Sequence, residues 1–221
     1  HFEMFPLTHS DYALVLAIDE TDDPIDNPPQ SPEEAAAFAQ AMASWLAVPP
    51  GERRPLVNGL AEQIEPTEVV DESYRILSNV RNDRFNEMEY AVPREAGAAC
   101  LREILDTIAR ERIDVVFPLE YRYVRGDDLW LSMDEGGDRA AISVHRSAAF
   151  DYRPLFDAVE SIFWKHGGRP HWGKVHSLGY RELAALYPRF GDFCALRREL
   201  DPRGRFLNDH LRRLFLAEGT A

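Results

Sequence analysis

Two stretches of this 221-residue sequence carry side chains whose types and spacing can do chemistry. The first is Phe117-Pro-Leu-Glu-Tyr-Arg-Tyr-Val124. Its Glu120 and Arg122 are two apart, and residues two apart on a strand share a face. A carboxylate beside a guanidinium can clamp adjacent hydroxyls of a polyol, accepting from one and donating to the next. The same spacing also describes a salt-bridged pair on a solvated sheet face, where such pairs contribute little. The second stretch is Arg169-Pro-His-Trp-Gly-Lys-Val-His176, after a Gly167-Gly168 pair that reads as a helix stop. Lysine is scarce in this chain, occurring only as Lys165 and Lys174. A lysine held beside an aromatic ring and a glycine can present a point charge to an electron-rich centre. A loop lysine in solvent is the plainer alternative.

Other chemistries are excluded. His171 and His176 are five apart with no acidic third ligand nearby, so no metal is expected. Cys100 and Cys194 suit neither a disulfide framework nor a redox pair. There is no glycine-rich phosphate cradle and no Gly-x-Ser-x-Gly elbow. Phe156, Phe163, Trp164, Phe190, Phe193 and Phe206 read as core, as do Met88 and Met133. The net charge of −13 argues against nucleic acid, whose phosphates need clustered cations. The imbalance is local: the first fifty residues hold nine acids and no Lys or Arg, whereas residues 101–221 hold 19 of each sign. No apolar run approaches the roughly 20 residues of a membrane span, and no signal peptide is visible; the expected location is cytoplasmic, with peripheral membrane association as the alternative. The chain opens at His1 in strand-like sequence, which reads as a processed product or a piece of something longer.

The elements that must position these residues follow from periodicity. Phe2 to Phe5 and Tyr12 to Ile18 read as strands. The acidic, proline-rich stretch from Asp19 to Pro32 reads as a loop ending at a helix start, with Ser31 as cap, Pro32 in the first turn and acids behind it. That helix runs to about Ala47, residues 52–65 are weakly helical, and 66–82 read as a linker or irregular cover. Arg84 to Val92 alternates as a strand, with Phe85, Glu87 and Glu89 opposed to Asn86, Met88 and Tyr90. An amphipathic helix follows from Arg94 to Arg112, then strands at Val115 to Val124 and Ala140 to Arg146, and a helix from Tyr152 to His166. Three short helical patterns near 179–187, 189–200 and 208–216 close the chain. This order predicts an α+β fold, an antiparallel sheet with helices packed on one face around a ferredoxin-like β-α-β-β-α core.

Five stretches together carry a resemblance. They are His1-Phe-Glu-Met-Phe5 with Thr8-His-Ser-Asp11, Arg84-Phe-Asn-Glu-Met-Glu-Tyr-Ala-Val-Pro-Arg-Glu95, and Pro118-Leu-Glu-Tyr-Arg122 with Asp127-Asp-Leu-Trp-Leu-Ser132. His166-Gly-Gly-Arg-Pro-His-Trp-Gly-Lys174 and the tail from Tyr187-Pro-Arg-Phe190 through Leu200-Asp-Pro-Arg-Gly-Arg-Phe206 to Asn208 and Leu211-Arg-Arg-Leu-Phe215 complete the set. They resemble the C-terminal half of the sugar-lactone and alditol oxidases, a branch of the FAD-dependent vanillyl-alcohol-oxidase superfamily. L-gulonolactone, D-arabinonolactone and alditol oxidases belong to that branch.

The resemblance implies a substrate, or cap, domain over residues 1–177, with 19–83 a variable insertion. It implies a C-terminal segment, 178–221, returning to a flavin domain. FAD would be held mainly by an N-terminal half that this chain lacks, and that half would be its partner. By the same resemblance Glu120 and Arg122 are catalytic residues that also bind hydroxyls of a polyol or sugar lactone, with His145 as a further substrate-facing residue on the neighbouring strand. Lys174 lies near flavin and substrate as a catalytic residue, and Lys174, His171 and Asn208 face the cofactor. The expected activity is oxidation of a sugar-lactone or alditol hydroxyl by hydride transfer to flavin. The alternative from another class is a free-standing α+β module that binds a sugar or a protein without catalysis.

Overall fold

A computed structural model describes residues 1–29, 31–78 and 84–217. Strands form at Phe2–Pro6 (β1), Ala13–Ala17 (β2), Phe85–Pro93 (β3), Glu120–Val124 (β4), Arg139–Ser147 (β5) and Arg169–Pro170 (β6). Helices span Pro32–Ala47 (α1), Arg53–Ala61 (α2), Ser73–Ile76 (α3), Arg94–Arg110 (α4), Arg153–Lys165 (α5), Tyr180–Leu186 (α6), Phe190–Leu200 (α7) and Asp209–Phe215 (α8). The strands make one antiparallel sheet in the order β2-β1-β4-β5-β3-β6. The β4-β5-β3-β6 portion, with α4 and α5 as its connections, is the ferredoxin-like split βαβ arrangement. The fold is therefore α+β, as the order of elements implies, and the hairpin β1-β2 extends the sheet beyond β4.

Alternation along each strand separates the two faces of the sheet. Met88, Tyr90 and Val92 of β3, Tyr121 of β4, and Ile142 and Val144 of β5 are buried against one another and against α4 and α5. From α4 come Cys100, Leu101, Ile104 and Ile108, and from α5 Leu155, Phe156, Val159 and Phe163. Each large apolar side chain so buried contributes roughly 1.5–3 kcal/mol. The close approach of α4 depends on Gly97, where a Cβ would collide with Tyr121 Oη and Ala140 Cβ. The glycine pair after α5 has the role that the sequence suggests: Gly167 turns the chain at φ +71°, and a Cβ on Gly168 would lie 2.8 Å from the Phe163 carbonyl. The chain thereby folds back onto β3 as β6.

A smaller cluster joins Leu7, Trp45 and Val57 under α1 and α2. Buried Arg53 ties it to the segment leading into β4, donating to Asp114 at 2.6 Å and to the Val115 carbonyl at 3.3 Å, and to the Val48 carbonyl at 2.8 Å. This corrects one expectation. The strand read from Val115 begins only at Glu120. The Val115 carbonyl is taken by Arg53 and by Thr8 Oγ1, and Pro118 has no N–H to offer a ladder. Regular pairing starts after the Leu119 N–H reaches the Pro6 carbonyl.

Two aromatics read as core are surface residues. Trp164 is 46% exposed, because it lies one residue past Phe163 and so rotates to the rim of α5, where its indole N–H meets Tyr90 Oη at 3.3 Å. Phe206 is 83% exposed on the turn between α7 and α8. Met133 is half-buried, while Met88 is in the core. The expected linker contains α3 and an isolated bridge from Asp26 to Val70, and residues 79–82 of it lie outside the described residues. Leu183, Tyr187, Phe190, Cys194, Leu214 and Phe215 of the tail share the main core. Among the described residues no helix is long and apolar enough to cross a membrane.

Candidate active site

The face of the sheet opposite α4 and α5 carries the charged residues. Register places Glu89 opposite Ser143 and Ser143 opposite Glu120, so the three stand abreast across β3, β5 and β4. One step along, Glu87 stands opposite His145. The stretch 169–175 is more ordered than the loop that sequence suggested. Past β6 it tracks β3, with the His171 N–H donating to the Glu89 carbonyl and the Val175 N–H to the Glu87 carbonyl, each at 2.9 Å. A turn closed by the Lys174 N–H on the His171 carbonyl at 3.1 Å lies between them. Trp172 pins this turn, donating to the Leu131 carbonyl at 2.7 Å and stacking on Phe215 at 5.5 Å.

Lys174 consequently reaches over β3. Its Nζ lies 2.5 Å from Glu87 Oε1 and 2.5 Å from Glu89 Oε2. The same Glu89 oxygen accepts from Ser143 Oγ at 2.6 Å and from the Arg122 guanidinium at 3.1 Å. Arg122 also pairs with Glu120 at 3.0 Å and faces Glu3 at 3.8 Å. His145 Nε2 lies 3.2 Å from Glu87 and 3.9 Å from Glu120, and its Nδ1 faces the Pro118 carbonyl at 3.4 Å.

Four of the residues singled out by sequence, Glu120, Arg122, His145 and Lys174, therefore meet in one cluster. Two others do not join it through a hydrogen bond or ion pair. His171 is on the turn that carries Lys174, its Nδ1 accepting from the Gly173 N–H at 3.1 Å. Asn208 caps α8, its Oδ1 accepting from the Leu211 N–H at 2.8 Å. Sequence reasoning missed Glu87 and Glu89, and with them Ser143 and Glu3. The signal was present for the first two: they alternate with core residues on β3, so two carboxylates face away from the helices.

Electrostatics follow from this crowding. Burial pushes the Glu87 carboxyl up, but hydrogen bonds from His145 and Lys174 and the lysine charge outweigh it and hold the group at about 2. Burial likewise opposes ionisation of Glu89, yet bonds from Lys174 and Ser143 and the charges of Lys174 and Arg122 keep it below the ordinary carboxylate range. Four carboxylates, those of Glu3, Glu87, Glu89 and Glu120, stand against the two permanent cations Arg122 and Lys174. Donor capacity remains, because an ammonium has three N–H groups and two carboxylates occupy Lys174. Sequence spacing argued against a metal. The structure brings ligand atoms of Glu87, Glu120 and His145 within 4.8 Å of one another, with Glu87 and Glu120 already paired to Lys174 and Arg122.

Beside this polar cluster is an apolar recess of about 120 Å³, lined by Phe5, Phe85, Phe117 and Pro118 and bounded by Glu120 and His145. Phe85 meets the His145 ring edge-on at 5.5 Å, and Phe117 lies 6.2 Å from Phe85 and 6.3 Å from His145.

The chain is 35% identical over 220 residues to the L-gulono-1,4-lactone dehydrogenase of Mycobacterium tuberculosis, an alignment covering 97% of the chain and 51% of that relative. It is 34% identical to the L-gulonolactone oxidase of Mus musculus over 65% of the chain and 34% of the relative. With the alditol oxidase of a Streptomyces species it shares 38% identity over 58% of the chain and 31% of the relative. The matched regions are the C-terminal parts of these relatives, and the chain spans about half the length, or less, of each. Residues 1–214 match the D-arabinono-1,4-lactone oxidase family. The chain belongs to that family.

Proposed function

We propose that this chain is the substrate-binding half of an FAD-dependent oxidoreductase that oxidises a hydroxyl of a sugar lactone or alditol. The observation that carries this reading is the convergence of Glu120, Arg122 and Lys174 on one face of the sheet. Arg122 is 3.0 Å from Glu120 and shares Glu89 Oε2 with Lys174. Paired donors and acceptors of this kind suit adjacent hydroxyls. Residues 1–177 serve as the cap, with 19–83 an insertion, and 178–221 as the segment that returns to the flavin half. The relatives' greater length supports an N-terminal partner half.

The donor set fits the substrate-facing edge of a flavin and no more of FAD than that. Lys174 retains an N–H, and the site is rich in polar groups, while the sequence has no glycine-rich phosphate cradle. The adenosine and pyrophosphate would therefore be held by the other half. When bound, FAD supplies the acceptor for the carbinol hydride. Glu120 accepts the hydrogen bond of the reacting hydroxyl and takes its proton as the C–H hydride departs, and Arg122 donates to the neighbouring hydroxyl. Glu87 and Glu89 hold Lys174 in place to donate to a substrate oxygen. Orienting the carbinol in this way is the main contribution of these residues to the rate.

The test is rapid mixing of the intact enzyme, this chain joined to its flavin-binding half, with an alditol or aldonolactone under anaerobic conditions. Arg122→Ala and Lys174→Ala should each slow flavin reduction by about 10²-fold or more. Near-wild-type reduction in both variants would remove the assignment.

A further inference from the structure

We propose that the outer edge of β2 pairs with the same edge of a second copy of this chain, joining two molecules through one continuous antiparallel sheet. The inference stands on the sheet alone and does not depend on the chemistry read from Glu120, Arg122 and Lys174.

β2 is the last strand on its side of the sheet, and its residues, Ala13-Leu-Val-Leu-Ala17, are all exposed. The ladder to β1 shows which of its backbone groups point away. It is bracketed by the Leu7 N–H on the Tyr12 carbonyl at 3.0 Å and the Ile18 N–H on the His1 carbonyl at 2.9 Å, with unbroken register between them. Hydrogen-bonded residues alternate along an antiparallel pair. Tyr12, Leu14, Leu16 and Ile18 therefore turn their N–H and C=O groups to β1, and Ala13, Val15 and Ala17 turn theirs outward. Natural edge strands block such a row with lysine, proline, a bulge or a covering segment. Among the described residues β2 has none of these. It holds no charge and no proline, its register with β1 has no bulge, and every residue from Asp11 to Ala17 is exposed.

The occupant follows from symmetry. The strand reads the same in both directions about Val15. A two-fold axis there sets Val15 against Val15 of the second copy and Ala13 against Ala17 of the second copy. Each outward-facing residue then meets another, and both bonds of every pair form. Leu14 stands opposite Leu16 of the second copy, a cross-strand contact that takes exposed leucines out of water. Charge agrees with this register, because no charged residue lies between Tyr12 and Ile18. At each end Asp11 comes next to Asp19 of the second copy. Asp11 already carries the exposed guanidinium of Arg54, so a cation stands between the two acids. Strand twist of about 20° per step turns the two β4 strands by roughly 100° from one another, which leaves room over each site face for its own flavin-binding half.

The experiment is sedimentation velocity on the intact flavin-loaded enzyme, this chain joined to its flavin-binding half. A concentration series from about 1 to 100 μM suits so small an interface, and about 0.3 M salt screens the acidic loop that follows β2. The expected result is a monomer that becomes a dimer as concentration rises. Val15→Lys sets two ammonium groups face to face at the axis, and Val15→Pro removes an outward N–H without touching a bond to β1. Each should raise the Kd of the dimer at least about tenfold. Val15→Lys should also keep the wild-type unfolding temperature and rate of flavin reduction. Val15→Cys should join the copies by a disulfide on mild oxidation, since facing residues of such a pair are about 5.5 Å apart at Cα. Leu14→Cys, which faces Leu16 and not itself, should not, and the native Cys100 and Cys194 are buried. A monomer at every concentration overturns the proposal, as does a dimer that Val15→Lys leaves intact. A monomer whose unfolding temperature falls in Val15→Lys overturns it in favour of the flavin-binding half as the cover of β2.

Discussion

Lys174 Nζ lies 2.5 Å from Glu89 Oε2, although the two residues are 85 positions apart in the chain. That one carboxylate oxygen also receives Ser143 and Arg122, so a single strand residue orients both cations of the site. Glu89 is buried, and removing one partner of a buried ion pair leaves the others uncompensated. Glu89→Ala should lower the unfolding free energy of the intact enzyme by about 2–4 kcal/mol, somewhat under the full cost of a completely buried pair because Arg122 and Lys174 are partly solvated. Glu89→Gln, which keeps an acceptor but not the charge, should lose less. Urea unfolding of the two variants beside wild type checks the order, and equal losses would contradict it.

Glu87 makes the site sensitive to acid in a defined window. Its carboxyl is depressed from an ordinary 4.5 to about 2 by His145 and Lys174, against the opposing effect of burial. A depressed folded-state value means a stabilising contribution that is complete above 4.5 and is lost as pH falls from there toward about 2. The melting temperature of the wild type should fall more steeply through this range than that of Glu87→Gln. Parallel curves for the two proteins would show that Glu87 does not carry the effect.

Gly97 sets how closely α4 approaches the sheet, since any Cβ there meets Tyr121 Oη and Ala140 Cβ. Gly97→Ala should cost about 1–3 kcal/mol of stability through overpacking, despite the better helix propensity of alanine, and Gly97→Val more. Because Tyr121 is flanked on β4 by Glu120 and Arg122, the displacement should also reduce the rate of flavin reduction. Thermal unfolding at or above the wild-type temperature for Gly97→Ala would show that the helix can shift without cost.

Much of this molecule is legible in local spacing. The alternation of Phe85, Glu87 and Glu89 with Met88 and Tyr90 makes β3 a two-faced strand. The 3.6-residue recurrence of Cys100, Leu101, Ile104 and Ile108 fixes which side of α4 is buried. The i, i+2 spacing of Glu120 and Arg122 places both on one face wherever their strand lies. Each of these is a property of a few consecutive residues, so the sequence alone determined the α+β class, the long helices and β3, and the pair Glu120–Arg122. Long-range partnership has no such local record. The start of β4 was decided by Arg53 and Thr8 taking the Val115 carbonyl, two side chains from elsewhere in the chain. The return of 169–175 along β3 depends on the Gly167 turn, Trp172 against Phe215, and carbonyls of Glu87 and Glu89 that only a folded sheet presents. Lys174 could be recognised as unusual from its scarcity, but its pairing with Glu87 and buried Glu89 exists only because sheet register and core packing bring the two segments together.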